Sequence, residues 1–457
     1  MKKDISLSFF CITCLAIIFF GMFSVFSRAF TKIILIKKNL CPPLLSKIIF
    51  FDRDDFRSSA TAKNQNENFS EPIIVDWKKL YPFENERSEN ASNGVQKNEK
   101  ADLQTLQIKL GFKFVEKVKD KINSWFEGNF VLRNFWITLS KKILYSFIGI
   151  HHTGIISLGN DRYTKVTLAK ADVSKQANAV IALSKFLKQK GIPLLYVQAP
   201  YKMSPLDGLH SADFSNQNAD EFLQILEDND IDFIDMREEI LKSGKDFYSF
   251  FYKTDHHWKA EAGLFACPII AEKINEIAGT KIDADFFDPV NFNFEIFKDS
   301  LLGSNGRELT LAAAKMEDIT LITPKKEFEL QTEIYGANML IRKARGGFET
   351  FIFKNYLQTK ENAVGISAYA IYMSENTNEF IKNYSVQNEY KILFIGDSFT
   401  NMVEPFFALS VKEFDSLELR LFDGSFKTFV EKNLPYNVCV LLCNPSGFAD
   451  SKLWDFE

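Results

Sequence analysis

The chain contains few cysteines for its length, six in 457 residues. They stand at positions 11, 14, 41, 267, 439 and 443, and their spacing does not resemble a disulfide framework. Cys11 and Cys14 form a C-x-x-C pair, but they lie inside an apolar run, which argues against a metal or redox site there. Cysteine usage therefore leaves the cellular compartment open.

The chain also lacks an excess of positive charge. Its formal net charge is −4 and its pI is near 5.9, so it has no basic footprint for nucleic acid and we expect no nucleic-acid partner. Hydrophobic residues make up 46% and charged residues 25%, as in ordinary globular proteins. A chain of this length can form one large domain or two or three smaller ones, with a core that needs neither disulfides nor metal.

One long uncharged run lies near the start of the chain. Residues 5–27 carry no charged side chain and are rich in Phe, Ile and Leu. A helix of this length can cross a hydrocarbon core of about 30 Å. The run is longer than the apolar core of a signal peptide, and no A-x-A-like cleavage site follows it. We therefore predict an uncleaved membrane anchor with its juxtamembrane segment in residues 1–50.

Basic residues flank this run on both sides. Lys2 and Lys3 precede it, and a larger number follow it. Those that follow are Arg28, Lys32, Lys37 and Lys38. By the positive-inside rule, this count alone would keep the rest of the chain in the cytoplasm.

Two segments separate the predicted anchor from the remainder of the chain. Residues 51–100 are polar, with runs such as 64–68, and this composition favours a linker. Residues 101–150 place apolar side chains at helical spacing, among them Leu103, Leu106 and Leu110. This helical segment could pack on the main domain or on a membrane, and the pattern does not distinguish the two.

Residues 151–457 alternate between buried-strand and helix patterns. The predicted strands are 192–197, 231–235, 391–395, 417–422 and 438–442. Helical patterns cover 172–190, 218–228, a long segment ending near 277, and 400–411. The region between the last two helices is irregular until residue 391. This alternation predicts an α/β layered fold with a mostly parallel sheet in a single domain.

A serine stands between one of these strands and the helix that follows. Ser398 comes after Gly396 and Asp397, directly behind the strand 391–395. At the carboxyl end of a parallel strand, its hydroxyl would face the edge where open α/β sheets bind ligands. Its own backbone N–H could stabilise an oxyanion. The alternative is a Gly-Asp-Ser turn that only caps a helix.

A nucleophilic serine needs a base, usually a histidine held by a carboxylate. Asp255, His256, His257 and Trp258 are consecutive, and in an extended segment residues two apart face the same way. Asp255 could then orient His257 while His257 faces Ser398. A polar turn is the structural alternative, and the adjacent histidines could also bind a metal, although no third ligand stands at a recognisable spacing.

The Asp-His-His-Trp and Gly-Asp-Ser motifs together resemble the DHHW family, which is related to alginate O-acetylation proteins. Segments 154–163, 198–202 and 303–307 match that family more loosely. The resemblance implies an SGNH hydrolase-like fold over roughly residues 150–450. In an ordinary SGNH hydrolase the serine comes first and the Asp/His pair last. Here the pair comes first, so the resemblance requires a circularly permuted motif order.

With the motifs counted from Lys391, the resemblance also assigns further residues. Gly424 takes the place of the oxyanion glycine and Asn444 that of the oxyanion asparagine, with a turn glycine and a strand-end cap as the plain alternatives. Arg307 and Lys202 are candidate substrate contacts. A solvated loop arginine is the alternative for Arg307.

The resemblance implies a membrane-anchored O-acyltransferase outside the cytoplasm, against the charge count. Such an enzyme would acetylate a cell-surface or exported polysaccharide through a Ser-His-Asp triad, with no metal or bound cofactor. A membrane O-acyltransferase would be the partner that supplies the acyl group. Two alternatives stay open: a carbohydrate esterase with the same triad, and a non-catalytic glycan-binding or assembly protein.

Overall fold

A computed structural model describes residues 133–148, 154–165, 168–206, 213–336, 339–374 and 377–457. The chain divides into two compact units, Met1–Ser70 and Glu71–Glu457, and the described residues all belong to the second. The predicted anchor and linker lie outside the described residues. Of the predicted helical segment, the described part is a helix, α1 (Arg133–Ile148). Within the described ranges, no helix is both long and apolar enough to cross a membrane.

The strands follow one another along the second unit. They are β1 (Ile155–Gly159), β2 (Arg162–Lys165), β3 (Leu194–Gln198), β4 (Phe233–Asp235), β5 (Phe292–Leu301), β6 (Glu317–Pro324), β7 (Leu330–Gly336), β8 (Met339–Gly346), β9 (Asn378–Asn383), β10 (Lys391–Gly396), β11 (Glu413–Leu417) and β12 (Val438–Cys443).

Helices connect most of these strands. The α-helices are α1 (Arg133–Ile148), α2 (Ser174–Gln189), α3 (Ser215–Glu227), α4 (Met236–Lys242), α5 (Ala260–Ala278), α6 (Ser304–Leu309), α7 (Glu404–Phe407) and α8 (Phe426–Lys432). Short 3-10 helices span Phe247–Phe250, Ala284–Phe287, Pro289–Asn291, Thr310–Ala312, Phe348–Phe351, Lys354–Tyr356, Ala368–Ile371, Thr400–Met402, Ala408–Ser410, Pro445–Ala449 and Ser451–Trp454.

An eight-stranded sheet in the order β4-β3-β12-β10-β11-β9-β7-β8 forms the centre of the domain. The pairs from β4 to β11 are parallel, whereas β9, β7 and β8 extend the sheet in antiparallel fashion. The predicted α/β class with a mostly parallel sheet is therefore confirmed. The antiparallel extension is an addition that the sequence patterns did not predict.

The five parallel strands have a familiar order when they are counted from β10. They then run 2-1-3-4-5 across the sheet, the order of flavodoxin-like doubly wound folds. In such sheets ligands bind outside the carboxyl ends of the strands, where the strand order reverses. Here that point lies between β10 and β12, directly beside Ser398. This order fits the permuted motif sequence.

The central strands are buried on both faces, which explains their continuous apolar sequences. Along β10, Ile392 and Phe394 pack in one core with α5, while Leu393 and Ile395 pack in another with α2, α3 and α8. The domain therefore has three layers, with the sheet in the middle.

Three local predictions need correction. The strand predicted at 417–422 is instead β11, Glu413–Leu417. Polar residues interrupt the apolar pattern of this strand, so the pattern does not predict it. Asp415 is buried and accepts a hydrogen bond from the Tyr436 hydroxyl at 2.6 Å, and Ser416 donates to Glu404. The helix predicted at 400–411 is divided into α7 and two 3-10 turns. The irregular region before residue 391 contains β5 to β9.

Candidate active site

Ser398 lies at the carboxyl end of β10, half-buried, where the strand turns into a 3-10 helix. A tight approach between strands fixes this turn. A Cβ on Gly396 would lie 2.2 Å from the carbonyl oxygen of Leu442 on β12, so only glycine allows the two strands to pair here. Asp397 then closes the turn, because its Oδ1 accepts the N–H of Phe399 at 2.9 Å.

His257 joins Ser398 and Asp255 in one hydrogen-bonded row. Its Nε2 lies 2.7 Å from Ser398 Oγ, and its Nδ1 lies 2.6 Å from Asp255 Oδ1. A carboxylate can only accept, so the Asp255 contact places the imidazole proton on Nδ1 and leaves Nε2 to accept the serine proton. The structure therefore brings together the three side chains that the sequence paired.

Asp255 is a buried carboxylate with three N–H donors. Oδ1 also accepts the backbone N–H of His257 at 3.0 Å, and Oδ2 accepts that of Ser304 at 2.6 Å. Burial alone would raise its pKa, but the charge and hydrogen bonds of His257 lower the pKa well below the usual range. Asp255 is therefore ionised and suited to orient the imidazole.

Lys202 stabilises the backbone of the segment that carries Asp255. Its ammonium donates to the carbonyl oxygens of Tyr163 and Lys253 at 2.8 Å each, and of Asp255 at 2.7 Å. Burial lowers the pKa of Lys202 to about 7. Its side chain is buried and all three N–H groups are used by backbone carbonyls, so the prediction that Lys202 contacts substrate is wrong.

Glu317 also stabilises the segment that carries Asp255, through the two residues that precede the aspartate. Its carboxylate accepts the backbone N–H groups of Lys253 and Thr254 at 2.7 and 2.6 Å, together with the Thr254 hydroxyl at 2.6 Å. No motif pointed to Glu317, because it begins β6 in the region that showed no regular pattern. The Asp255 segment is thus fixed by two buried or half-buried charged groups of opposite sign.

Tyr369 contacts two members of the row at once. Its ring stacks on the imidazole of His257 with centroids 3.8 Å apart and planes at 9°, and its hydroxyl donates to the Ser398 carbonyl at 2.6 Å. The residue is 1% exposed. No sequence pattern points to Tyr369, since a lone tyrosine in a 3-10 helix far along the chain carries no motif.

The two oxyanion candidates lie in loops that follow strands at the same sheet edge. Asn444 follows β12, and its backbone N–H and side-chain Nδ2 both donate to Asp397 Oδ2, at 2.8 and 2.7 Å. One N–H of the Asn444 side-chain amide thus positions Asp397, the residue before Ser398. The second N–H of the same amide is the one left for an oxyanion. Gly424 lies in the bend between β11 and α8. For both, the oxyanion role stays a prediction.

Arg307 is half-buried in α6, the helix whose first residue contacts the row. Ser304, one turn earlier on the same face, donates its N–H to Asp255 and pairs its hydroxyl with His256 Nδ1 at 2.7 Å. Among the described residues the Arg307 guanidinium has no ion pair or hydrogen bond. The neighbouring Glu308 pairs instead with Lys165 at 3.7 Å.

Asp255, His256 and His257 could together offer three metal ligands, with one atom from each within 4.8 Å of the others. Three of their candidate ligand atoms already have hydrogen-bond partners: Asp255 Oδ1 and His257 Nδ1 bind each other, and His256 Nδ1 faces Ser304. A metal ion bound through Asp255 Oδ1 or His257 Nδ1 would have to displace the contact that orients His257.

Comparisons with known proteins bear on the same region. Residues 159–287 match the model of the family described as SGNH hydrolase-like domain, acetyltransferase AlgX. The matched span contains Asp255 and His257, whereas Ser398 lies beyond it. A DHHW family protein from Eubacterium siraeum matches in structure with a TM-score of 0.50 and 15% identity, over 66% of this chain and 93% of that chain. The predicted resemblance is confirmed.

The fold is shared with other solved structures. Bacillus cereus PatB1 matches with a TM-score of 0.53 and 20% identity, over 66% of this chain and 99% of that chain. The same protein with a sulfonyl adduct matches with a TM-score of 0.53 and 18% identity, over 66% and 98% of the two chains. A search of curated proteins finds no match. The described domain thus has an SGNH-like fold, and residues 159–287 are similar to the family described above.

Proposed function

We propose that this chain is an O-acyltransferase that acetylates hydroxyl groups of a cell-surface or exported polysaccharide through Ser398. One observation carries the proposal: His257 lies between Ser398 and Asp255, with contacts of 2.7 and 2.6 Å. A serine hydroxyl is a weak nucleophile until a base accepts its proton, and these contacts supply that base and the carboxylate that orients it.

In the first half-reaction, Ser398 Oγ attacks the acyl carbonyl of the donor while His257 Nε2 takes the hydroxyl proton. A bond forms between Oγ and the acyl carbon, and the bond from that carbon to the donor's leaving atom breaks. The imidazolium then gives its proton to the leaving group. The ionised Asp255 stabilises the imidazolium between these steps.

The second half-reaction reverses the proton path. A sugar hydroxyl gives its proton to His257 Nε2 and attacks the acyl-serine, and the bond from the acyl carbon to Ser398 Oγ breaks as Oγ regains a proton. Both halves pass through an oxyanion, for which the Ser398 N–H, Gly424 and Asn444 are the proposed donors. Arg307, whose guanidinium faces no protein acceptor among the described residues, is the proposed contact for an acidic sugar or phosphate.

The proposal also includes a location and a partner. The uncharged run at residues 5–27 supports a membrane anchor, and the resemblance to alginate O-acetylation proteins supports a domain outside the cytoplasm. A membrane O-acyltransferase would then deliver the acyl group across the bilayer to Ser398.

The test uses the purified full-length chain and phenylmethanesulfonyl fluoride, a choice supported by the sulfonyl adduct of PatB1. Intact mass and peptide mapping should find one label on Ser398 in the wild type and none in Ser398→Ala. Ser243→Ala, which removes a half-buried hydroxyl from a helix end, is the matched control and should label normally.

A second measurement separates the candidate functions. With p-nitrophenyl acetate as donor, a transferase should acetylate oligosaccharides from a neutral and acidic panel, and an esterase should release only acetate. Labelling of folded Ser398→Ala would place the nucleophile elsewhere. A wild type that does not label but binds oligosaccharide would identify a non-catalytic glycan-binding protein.

A further inference from the structure

We infer that Tyr369 is a positioning residue that fixes His257 and Ser398 relative to each other, one through its ring and the other through its hydroxyl. The inference rests on the proposed function, because it concerns the transfer of a proton from Ser398 to His257. One rigid side chain makes both contacts: the ring stacks on the imidazole at 3.8 Å, and the hydroxyl donates to the Ser398 carbonyl at 2.6 Å.

The ring contact restricts the one rotation that Asp255 does not fully control. Asp255 holds the imidazole by its Nδ1 edge, at 2.6 Å, and a single hydrogen bond still allows the ring plane to tilt about it. Nearly parallel stacking, at 9°, limits that tilt. Nε2 is thereby kept in line with Ser398 Oγ, and proton transfer depends on such alignment.

The hydroxyl contact holds the nucleophile turn itself. Ser398 stands after the last residue of β10 and before the 3-10 helix Thr400–Met402, so its carbonyl lies outside the sheet ladder. The Tyr369 hydroxyl supplies the donor. A second bond joins the same two segments, because Asn401 Nδ2 donates to the Ser374 carbonyl at 2.8 Å.

The segment that carries Tyr369 is itself rigidly held. Tyr372, three residues on, is fully buried and its hydroxyl contacts the backbone of Ile322 through both the N–H and the carbonyl, at 2.6 and 3.1 Å. Met373 and Ser374 then adopt positive φ angles of 50° and 72° although neither is glycine. Such conformations are strained for residues with a Cβ and persist where the surroundings determine them. Tyr369 therefore projects from a fixed base.

The experiment compares three variants of the full-length chain. Tyr369→Phe keeps the stacked ring and removes the hydroxyl, and Tyr369→Leu removes both contacts. Tyr436→Phe is the matched control: it also removes a buried tyrosine hydroxyl that donates a hydrogen bond at 2.6 Å, but to Asp415 on β11 rather than to Ser398. The measurements are the rate of Ser398 labelling by phenylmethanesulfonyl fluoride, kcat and KM with p-nitrophenyl acetate, and the melting temperature.

We expect Tyr369→Phe to slow labelling by about 3- to 10-fold, the range for one lost hydrogen bond. Tyr369→Leu should slow it on the order of 100-fold, as for an ångström-scale misplacement of reacting groups. In both variants kcat should fall while KM changes little. The phenylalanine variant should keep most of the labelling rate and kcat that the leucine variant loses. Tyr436→Phe should melt earlier but label at the wild-type rate while folded.

Three outcomes would decide against the inference. Labelling of folded Tyr369→Leu at the wild-type rate would overturn the inference. Labelling of Tyr369→Phe at the wild-type rate would show that the hydroxyl has no positioning role, and this result can be obtained even if the leucine variant does not fold. Equal slowing by Tyr436→Phe would mean that general packing, not Tyr369, sets the rate. A wild type without Ser398-dependent labelling would instead overturn the proposed function, and this inference with it.

Discussion

Gly303 lies so close to Asp255 that no other residue fits at its position. A Cβ on Gly303 would come within 2.3 Å of the Asp255 Cβ and 2.4 Å of its backbone nitrogen. The contact is reinforced by a hydrogen bond from the Gly303 N–H to the Thr254 hydroxyl at 2.9 Å. This approach lets the next N–H along the chain, that of Ser304, reach Asp255 Oδ2. The loop entering α6 thus determines where the carboxylate points.

Gly303→Ala should displace Asp255 and slow the labelling of Ser398 by at least 10-fold. Overpacking of a closed site costs typically about 1–3 kcal/mol, so the melting temperature should fall as well. Gly365→Ala is the control, because its Cβ would meet only an ordinary contact, 3.7 Å from the Asn362 carbonyl oxygen, and its stability should change by less than about 0.5 kcal/mol. Normal labelling of folded Gly303→Ala would contradict the argument.

Asp255→Asn should reduce labelling of Ser398 strongly, but less than His257→Ala. The carboxylate accepts from three N–H groups, and asparagine offers one acceptor oxygen and one NH2. If the oxygen faces His257, only the Ser304 contact is lost; if the NH2 does, the imidazole proton moves to Nε2. We expect a loss on the order of 10²–10⁴ in labelling rate. Asp255→Asn at the wild-type rate would show that orientation by Asp255 is dispensable.

Stability should fall as the pH rises through neutrality, because of a buried glutamate behind the nucleophile turn. Burial raises the pKa of Glu404 to about 7, even though Ser416 donates a hydrogen bond to it. The folded state therefore holds a proton that the unfolded chain releases at a pH near 4.5. This stability is complete below that pH and is lost as the pH rises through about 7.

Glu404→Gln mimics the protonated acid and should flatten this dependence. Relative to wild type, the variant should gain stability between pH 4.5 and 8, by on the order of 1–3 kcal/mol, measured by denaturant unfolding. Some slope should remain, because burial also raises the pKa of Glu379, and the substitution does not change that. The exposed Glu389→Gln is the control. Parallel pH curves for wild type and Glu404→Gln would contradict the assignment.

Strands with continuous apolar sequences were predictable, and those with polar positions were not. β10 and β12 are buried on both faces, so their sequences identify them directly. β5 exposes most of its residues as half of a two-stranded ribbon, and its mixed sequence fits no single pattern. β11 was displaced in the prediction because Asp415 and Ser416 are buried through specific hydrogen bonds. Only tertiary partners distinguish such residues from a loop.

The residues of the candidate site likewise include some that the sequence predicts and others that it does not. Ser398, His257 and Asp255 were found because strand ends and two-residue spacing constrain where they lie. Tyr369 and Glu317 act on residues distant in sequence and carry no motif of their own. For Lys202 the sequence predicts a substrate contact, whereas its partners are backbone carbonyls. Nothing in the sequence shows that three of these carbonyls converge on its ammonium.

Arg307→Gln should weaken binding of an acidic acceptor without altering the nucleophile. The guanidinium is half-buried one turn beyond Ser304, and no protein group in the described part of the chain neutralises it. A hydrogen bond to a charged group is worth about 1.5–3 kcal/mol, so KM for acidic oligosaccharides should rise by roughly 10-fold or more. KM for a neutral oligosaccharide of equal length should change little. Labelling of Ser398 by uncharged phenylmethanesulfonyl fluoride should stay within about 2-fold of wild type, since that reagent offers no anion.

The matched control for this prediction is Arg345→Gln. It removes the same charge from edge strand β8, where Arg345 pairs with Glu329 at 2.5 Å. If both variants raise KM equally, the effect comes from net charge and not from a contact. If Arg307→Gln leaves KM unchanged for acidic and neutral acceptors alike, Arg307 is not part of the acceptor site. A selective loss with acidic acceptors in Arg307→Gln alone would place the acceptor's anionic group beside α6, on the side of the site where Ser304 contacts Asp255 and His256.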